Sequence, residues 1–279
     1  MSDERYRGWL RPGPIPRGEV EPEGDESLDY LCGFFRIFQY QRGHRYSTDD
    51  VLTAWYGMQW APRLGTIADL GSGIGSVALL MAWRCPGARI VTVEAQPMSA
   101  RLARKSVRYN GIDDRVHVTE GDLREFAPDE RFDLVTGSPP YWPAGTATKA
   151  QHPQAIPARL EVRGSVADYA AAAARILAPG GVFAFVFPAV QRERAEEALR
   201  SNELVLLRRR DVIFKEGEPP MITLFAASRA ADLPPARETW VEPPLTIRSA
   251  DGSVHPEYRM VRLSIGFPPG DIMRGDETR

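Results

Sequence analysis

Thr66-Ile67-Ala68-Asp69-Leu70-Gly71-Ser72-Gly73-Ile74-Gly75 is the stretch on which the fold turns. Five residues of mostly apolar character run into a loop with glycine at every second position, and residues 76–83 beyond it suit a helix. Strand, loop and helix in that order begin a βαβ unit. Residues 89–94 supply the second strand, Pro97 sits where a proline opens a helix, and Gly111 stops that helix. Working outward, strands are predicted at 116–119, 132–136 and 182–187, with a helix over 165–177 that ends at Pro179-Gly180-Gly181. Strands alternating with helices predict an α/β fold around a mostly parallel sheet. Residues 204–213 and 221–226 are apolar runs separated by only 214–220, too short for a helical crossover, so they should form an antiparallel hairpin. Upstream of the glycine loop, Ser47 and Asp50 have the spacing of a capping box, and Val51, Leu52 and Trp55 give that helix a buried stripe. Residues 1–28, with Pro12, Pro14 and Pro16, read as an irregular arm, and 29–279 as one domain with a short N-terminal extension and a C-terminal appendage.

Composition narrows the class. In 279 residues, 43% are hydrophobic and 26% charged, enough apolar surface for a substantial core. No run of about eighteen apolar residues predicts a membrane span, and the polar N-terminus does not read as a secretory signal, so a cytoplasmic protein is expected. Cys32 and Cys85 are far apart and lack partners at metal-ligand spacing, so no metal site is expected and both read as core thiols. A formal net charge of -2 does not announce a nucleic-acid binder, which leaves the distribution of charge to decide. Basic residues collect at Arg36, Arg42 and Arg45, at Arg101, Arg104, Lys105 and Arg108, and at Arg208, Arg209 and Arg210, each a solvated face or a binding face.

A glycine loop serves any ligand that approaches the backbone closely. The dinucleotide fingerprint would put its third glycine at 76, where this chain has serine; here that glycine is Gly75, and an acid, Asp69, precedes the loop. Asp69-x-Gly71-x-Gly73-x-Gly75 resembles the first motif of class I methyltransferases. That resemblance implies a Rossmann-like, mostly parallel seven-stranded sheet with an antiparallel C-terminal hairpin, and S-adenosylmethionine as the cofactor lying against the glycines. Glu94, closing the second strand, is placed to accept from the two ribose hydroxyls. Asp122, after the third strand, resembles the adenine-binding position, or else caps the turn into Leu123-Arg124.

Ser138-Pro139-Pro140-Tyr141 follows the fourth strand and resembles the Asn-Pro-Pro-Tyr motif of methyltransferases acting on planar amino groups. The resemblance gives these four residues the catalytic site: the first side chain and the first proline's carbonyl accept from the target NH2, and the tyrosine stacks on its plane. Two acceptors help the nitrogen lone pair out of conjugation, so positioning and electrostatics carry the transfer. Serine in place of asparagine is better known in DNA methyltransferases of the cytosine N4 amino group. Those carry a target-recognition domain, for which this chain has no room.

From Phe38 to Phe267 the chain is similar to bacterial methyltransferases of adenine N6 in valine tRNA. Gly43-His44-Arg45-Tyr46-Ser47-Thr48-Asp49-Asp50, Ala158-Arg159-Leu160, Arg210-Asp211-Val212, Leu245-x-Ile247-Arg248 and Pro256-Glu257-Tyr258 carry the similarity. It implies tRNA or another structured RNA as partner and assigns Arg45 and Thr48 to the cofactor pocket. The loop over 142–163, with Lys149, His152, Arg159 and Arg163, offers RNA contacts. Two other readings stay open: an N-methyltransferase of a protein amide or small amine, and a catalytically weak RNA- or cofactor-binding protein.

Overall fold

The computed structural model describes residues 20–143, 154, 160–162, 164–234 and 238–268, together with the backbone of two short strands, β1 (Arg5–Tyr6) and β2 (Trp9–Leu10). A hairpin follows, β3 (Glu26–Cys32) and β4 (Phe35–Tyr40), and then α1 (Thr48–Trp60). The repeating part of the fold is β5 (Thr66–Leu70), α2 (Ser76–Arg84), β6 (Arg89–Glu94), α3 (Pro97–Tyr109), β7 (Val116–Glu120), β8 (Phe132–Gly137), α4 (Val166–Ile176) and β9 (Leu177–Pro188). It ends in α5 (Arg192–Arg200), β10 (Leu204–Lys215), β11 (Ile222–Arg229), β12 (Trp240–Arg248) and α6 (Pro256–Ser264).

The main sheet runs β12-β10-β11-β9-β8-β5-β6-β7. Strands β9, β8, β5, β6 and β7 are parallel, and β11 lies antiparallel to both β9 and β10. This is the doubly wound α/β plan with the expected hairpin, extended by an eighth strand, since β12 pairs parallel with β10 at the edge. Alternate residues of β9 face opposite layers. Val182, Ala184 and Val186 pack on the side that holds α1 and α2, while Phe183, Phe185 and Phe187 pack with α4 on the other. There Phe185 stacks between Phe183 and Phe225 at centroid distances of 4.7 and 4.8 Å.

Local signals place the helices. Ser47 accepts from the Asp49 amide and the Asp50 carboxylate takes the Ser47 amide, the reciprocal cap its spacing predicts. Ser165 and Asp168 repeat the device at α4. Order begins earlier than the expected boundary at residue 28. Glu26 is buried at the start of β3 and accepts from Lys105 Nζ at 2.6 Å and from Arg101, so acids of the supposed arm neutralise two cations of α3.

Candidate active site

The chain passes from β5 outward to β6 and β7, then returns to lay β8 on the other side of β5. At such a reversal the loops leaving neighbouring strands splay apart, and ligands bind in the crevice beyond the strand ends. Leu70 is registered beside Gly137, so the glycine loop and Ser138-Pro139-Pro140-Tyr141 leave the sheet side by side. Between them lies a cavity of about 410 Å³.

Its floor is backbone. Gly71, Gly73 and Gly75 all have positive φ, which side-chain-bearing residues adopt with difficulty. At Gly71 a Cβ would also lie 1.8 Å from the Tyr169 hydroxyl, and at Gly137 one would lie 2.7 Å from the same ring. Tyr169, buried on α4, thus reaches over both loops and requires both glycines. Glu94 holds the loop from the side, accepting from the Gly73 amide at 2.8 Å and from the Gln96 amide at 2.7 Å.

Asp49, Asp50 and Glu94 are on the cavity wall, and among the described residues no lysine or arginine lines it. Asp69 stands behind the loop, fully buried, with Thr136 donating to it at 2.7 Å. Burial pushes its carboxyl up to about 7; the Thr136 bond opposes the rise, and the charges of Asp50 and Glu94 add to it. A site so lined suits a ligand carrying positive charge, apolar surface and hydroxyls. S-adenosylmethionine fits on each count: an open floor at Gly73, where nothing lies within 4 Å of a built Cβ, apolar walls at Ile74, Val93 and Leu123, and excess negative charge facing a sulfonium.

On the β8 side, Tyr141 is fixed at three points. Its hydroxyl donates to Asp49 Oδ2, its carbonyl accepts from Gln191 at 2.7 Å, and its ring meets the edge of Phe187 at 6.1 Å. Burial raises the Asp49 carboxyl, with Tyr141's bond opposing and Asp50's charge adding. Ser138 Oγ is buried and has no hydrogen-bond partner among the described residues. A hydroxyl left in that state costs about 1–3 kcal/mol, which a ligand's donor would recover.

Of the residues predicted for the site, Gly71, Gly73, Glu94, Ser138, Pro139, Pro140 and Tyr141 line the cavity together. Asp69 and Gly75 support it from behind, Gly75 as the N-cap of α2 against Ala103. Asp122 is at the rim between two lining residues, with its carboxylate accepting from the Arg124 amide and side chain, the turn-capping geometry. Arg45 and Thr48 are elsewhere. They line a second cavity, because capping at Ser47 turns Asp49 and Asp50 toward the glycine loop and Thr48 the other way, where its hydroxyl bonds Tyr258. Lys149, His152, Arg159 and Arg163 fall outside the described residues. Sequence reasoning passed over Asp49, Gln96 and Tyr169. Only the tight glycine pair at 71 and 137 hinted that something large must cover them.

The chain is similar to known proteins. Residues 57–205 match the methyltransferase small domain family. The tRNA1(Val) (adenine(37)-N6)-methyltransferase of Bacteroides thetaiotaomicron is 30% identical over 200 residues, 67% of this chain and 80% of the relative. The enzyme of the same name from Porphyromonas gingivalis W83 is 29% identical over 84% of this chain and 92% of its own. Among solved structures, a predicted O-methyltransferase from Agrobacterium tumefaciens superposes with a TM-score of 0.62 at 21% identity, covering 79% of this chain and 98% of that one. The match spans more than half of the chain and contains the glycine loop and the Ser-Pro-Pro-Tyr turn, so this chain belongs to the methyltransferase small domain family and is an S-adenosylmethionine-dependent class I methyltransferase.

Proposed function

We propose that the chain methylates an exocyclic amino group of a nucleobase in tRNA, adenine N6. The relatives' names point to that substrate, and the observation that carries it here is the buried, unpartnered Ser138 hydroxyl beside the anchored Tyr141 ring. When bound, the cofactor supplies a methyl group on a positively charged sulfur. Glu94 and the glycine loop hold it, and the acids on the wall favour its charge. Ser138 Oγ and the Pro139 carbonyl accept from the two amine hydrogens, drawing the nitrogen lone pair out of conjugation with the ring. Tyr141, held by Asp49 and Phe187, stacks on the base. A new nitrogen–carbon bond forms as the methyl–sulfur bond breaks, and the amine proton leaves to solvent. No covalent intermediate on the chain is required. A tRNA substrate is met in the cytoplasm, which supports a cytoplasmic protein; among the described residues no helix is long and apolar enough to cross a membrane.

The test is transfer of radiolabel from S-adenosylmethionine to tRNA from cells lacking this activity, followed by nucleoside chromatography, for wild type and Ser138→Ala. Label in N6-methyladenosine, reduced about ten-fold or more in the variant by loss of one hydrogen bond, is the expected result. Label in N4-methylcytidine would move the target to cytosine. A protein that binds the cofactor and labels no nucleoside would refute the reading.

A further inference from the structure

We infer that the second cavity, walled by Arg45, Arg248 and Arg262, binds backbone phosphate of the RNA whose base enters the methylation site. The cavity has a volume of about 600 Å³, and among the described residues no aspartate or glutamate lines it. Its guanidinium groups come from three places in the fold: the segment before α1, the end of β12 and α6. Elsewhere many of the cations are paired with acids. Arg101 and Lys105 pair with Glu23 and Glu26, Arg104 with Glu120, Arg192 with Asp211, Arg209 with Glu196 and Arg210 with Glu257. Among the described residues Arg248 and Arg262 have no ion pair; Arg248 donates to the Gly252 carbonyl and Arg262 lies over the Phe267 ring at 4.6 Å. Arg45 pairs with Asp29, which is not on the cavity wall. Arg248 and Arg262 bring two guanidinium side chains without an ion pair to one wall, and the planar fork of donors that each carries matches the chemistry of phosphate; Arg45, on the same wall, is held by Asp29, Ser27 and the Tyr40 carbonyl.

Two further observations tie the cavity to the substrate. Every residue lining it lies outside 57–205, the part matched by the general methyltransferase family, so it belongs to what this chain adds to the shared catalytic fold. Ser47 lines both cavities, so they meet at the first turn of α1, and a nucleotide whose base occupies one has its backbone near the other.

The inference rests on the tRNA reading above, and the experiment separates the two. Binding of bulk tRNA to the full chain is followed by fluorescence anisotropy across a range of NaCl, beside calorimetric binding of S-adenosylhomocysteine, for wild type and Arg248→Gln/Arg262→Gln. The variant should bind S-adenosylhomocysteine as wild type does and bind tRNA about ten-fold or more weakly. Its plot of log affinity against log salt should be shallower by about 1 to 2, the share of two lost phosphate contacts. In methylation its KM for tRNA should rise with kcat little changed. Unchanged tRNA affinity and salt slope would overturn the cavity's role while leaving the tRNA reading standing; a wild type that binds S-adenosylhomocysteine but no tRNA would overturn that reading itself. Hydrogen exchange on wild type decides the matter even if the variant does not fold. Bound tRNA should slow exchange over 245–267, and bound tRNA without protection there would overturn the inference.

Discussion

Two cavities meet at Ser47, and they differ in sign. One is walled by Asp49, Asp50 and Glu94 without a lysine or arginine; the other by Arg45, Arg248 and Arg262 without an acid. A single helix start divides them, since successive residues of a first turn point about 100° apart and Thr48 and Asp49 therefore face different spaces. Net charge says nothing about such a chain. At -2 it is nearly neutral, yet it segregates its charge by task, a cationic donor on one side and, as proposed, an anionic backbone on the other.

The largest break in this comparison should come from Gly71→Ala. The new methyl group would collide with the Tyr169 hydroxyl in a backbone conformation that alanine disfavours, each worth about 1–3 kcal/mol. Calorimetry should show S-adenosylhomocysteine affinity falling about a hundred-fold or more, with tRNA affinity unaltered. Equal loss of both would mean that the cavities are not separate in energy. Asp49→Ala probes the boundary itself. It leaves the Tyr141 hydroxyl without its acceptor and should lower kcat about ten-fold, beside whatever rise in the KM for S-adenosylmethionine follows from one acid fewer on the wall. Retained kcat would remove Asp49 from the positioning of the ring.

The smallest effect concerns the cost of the acidic cavity. In the folded chain Asp69 holds its proton up to about pH 7, whereas an unfolded aspartate releases it near 4. Between these values the folded state binds the extra proton, so stability falls as pH rises and the penalty is constant above about 7. Asp69→Asn keeps an acceptor for Thr136 and carries no charge. Without donor it should melt higher than wild type at pH 8 and equally near pH 4; equal melting at both would show that Asp69 is not destabilised by burial.

The acidic cavity was largely legible in the sequence because it is local. Asp69 to Gly75 and Ser138 to Tyr141 are contiguous motifs, and Glu94 follows at the end of the next strand. The basic cavity was hidden, since only Arg45 belongs to a visible cluster while Arg248 and Arg262 lie about two hundred positions further on, and the clusters at 101–108 and 208–210 prove to be largely occupied within the fold. Arg208, for example, lies between the rings of Trp60 and Trp240 at 3.7 and 4.3 Å. The eighth strand escaped notice because β12 contains Pro243-Pro244, and prolines argue against a strand unless it sits at an edge, as this one does. Residues 26–28 were read as part of an irregular arm because β3 owes its place to Lys105 and Arg101, partners far along the chain. Thr48 and Arg45, expected at the cofactor pocket, line the other cavity, because a resemblance locates a segment but does not tell which way a helix turn aims each side chain.

The contacts that close the basic cavity also set an order of assembly. Gly33 donates to the Gly266 carbonyl, and the Tyr30 hydroxyl reaches the same oxygen across 236 positions of sequence. A contact of that span cannot form while the chain is still emerging from the ribosome with residue 266 unmade. The glycine loop, by contrast, is complete with its strands and helix long before. A nascent chain can therefore build a pocket for its methyl donor well before it can grip an RNA, and newly made protein comes to its substrate last.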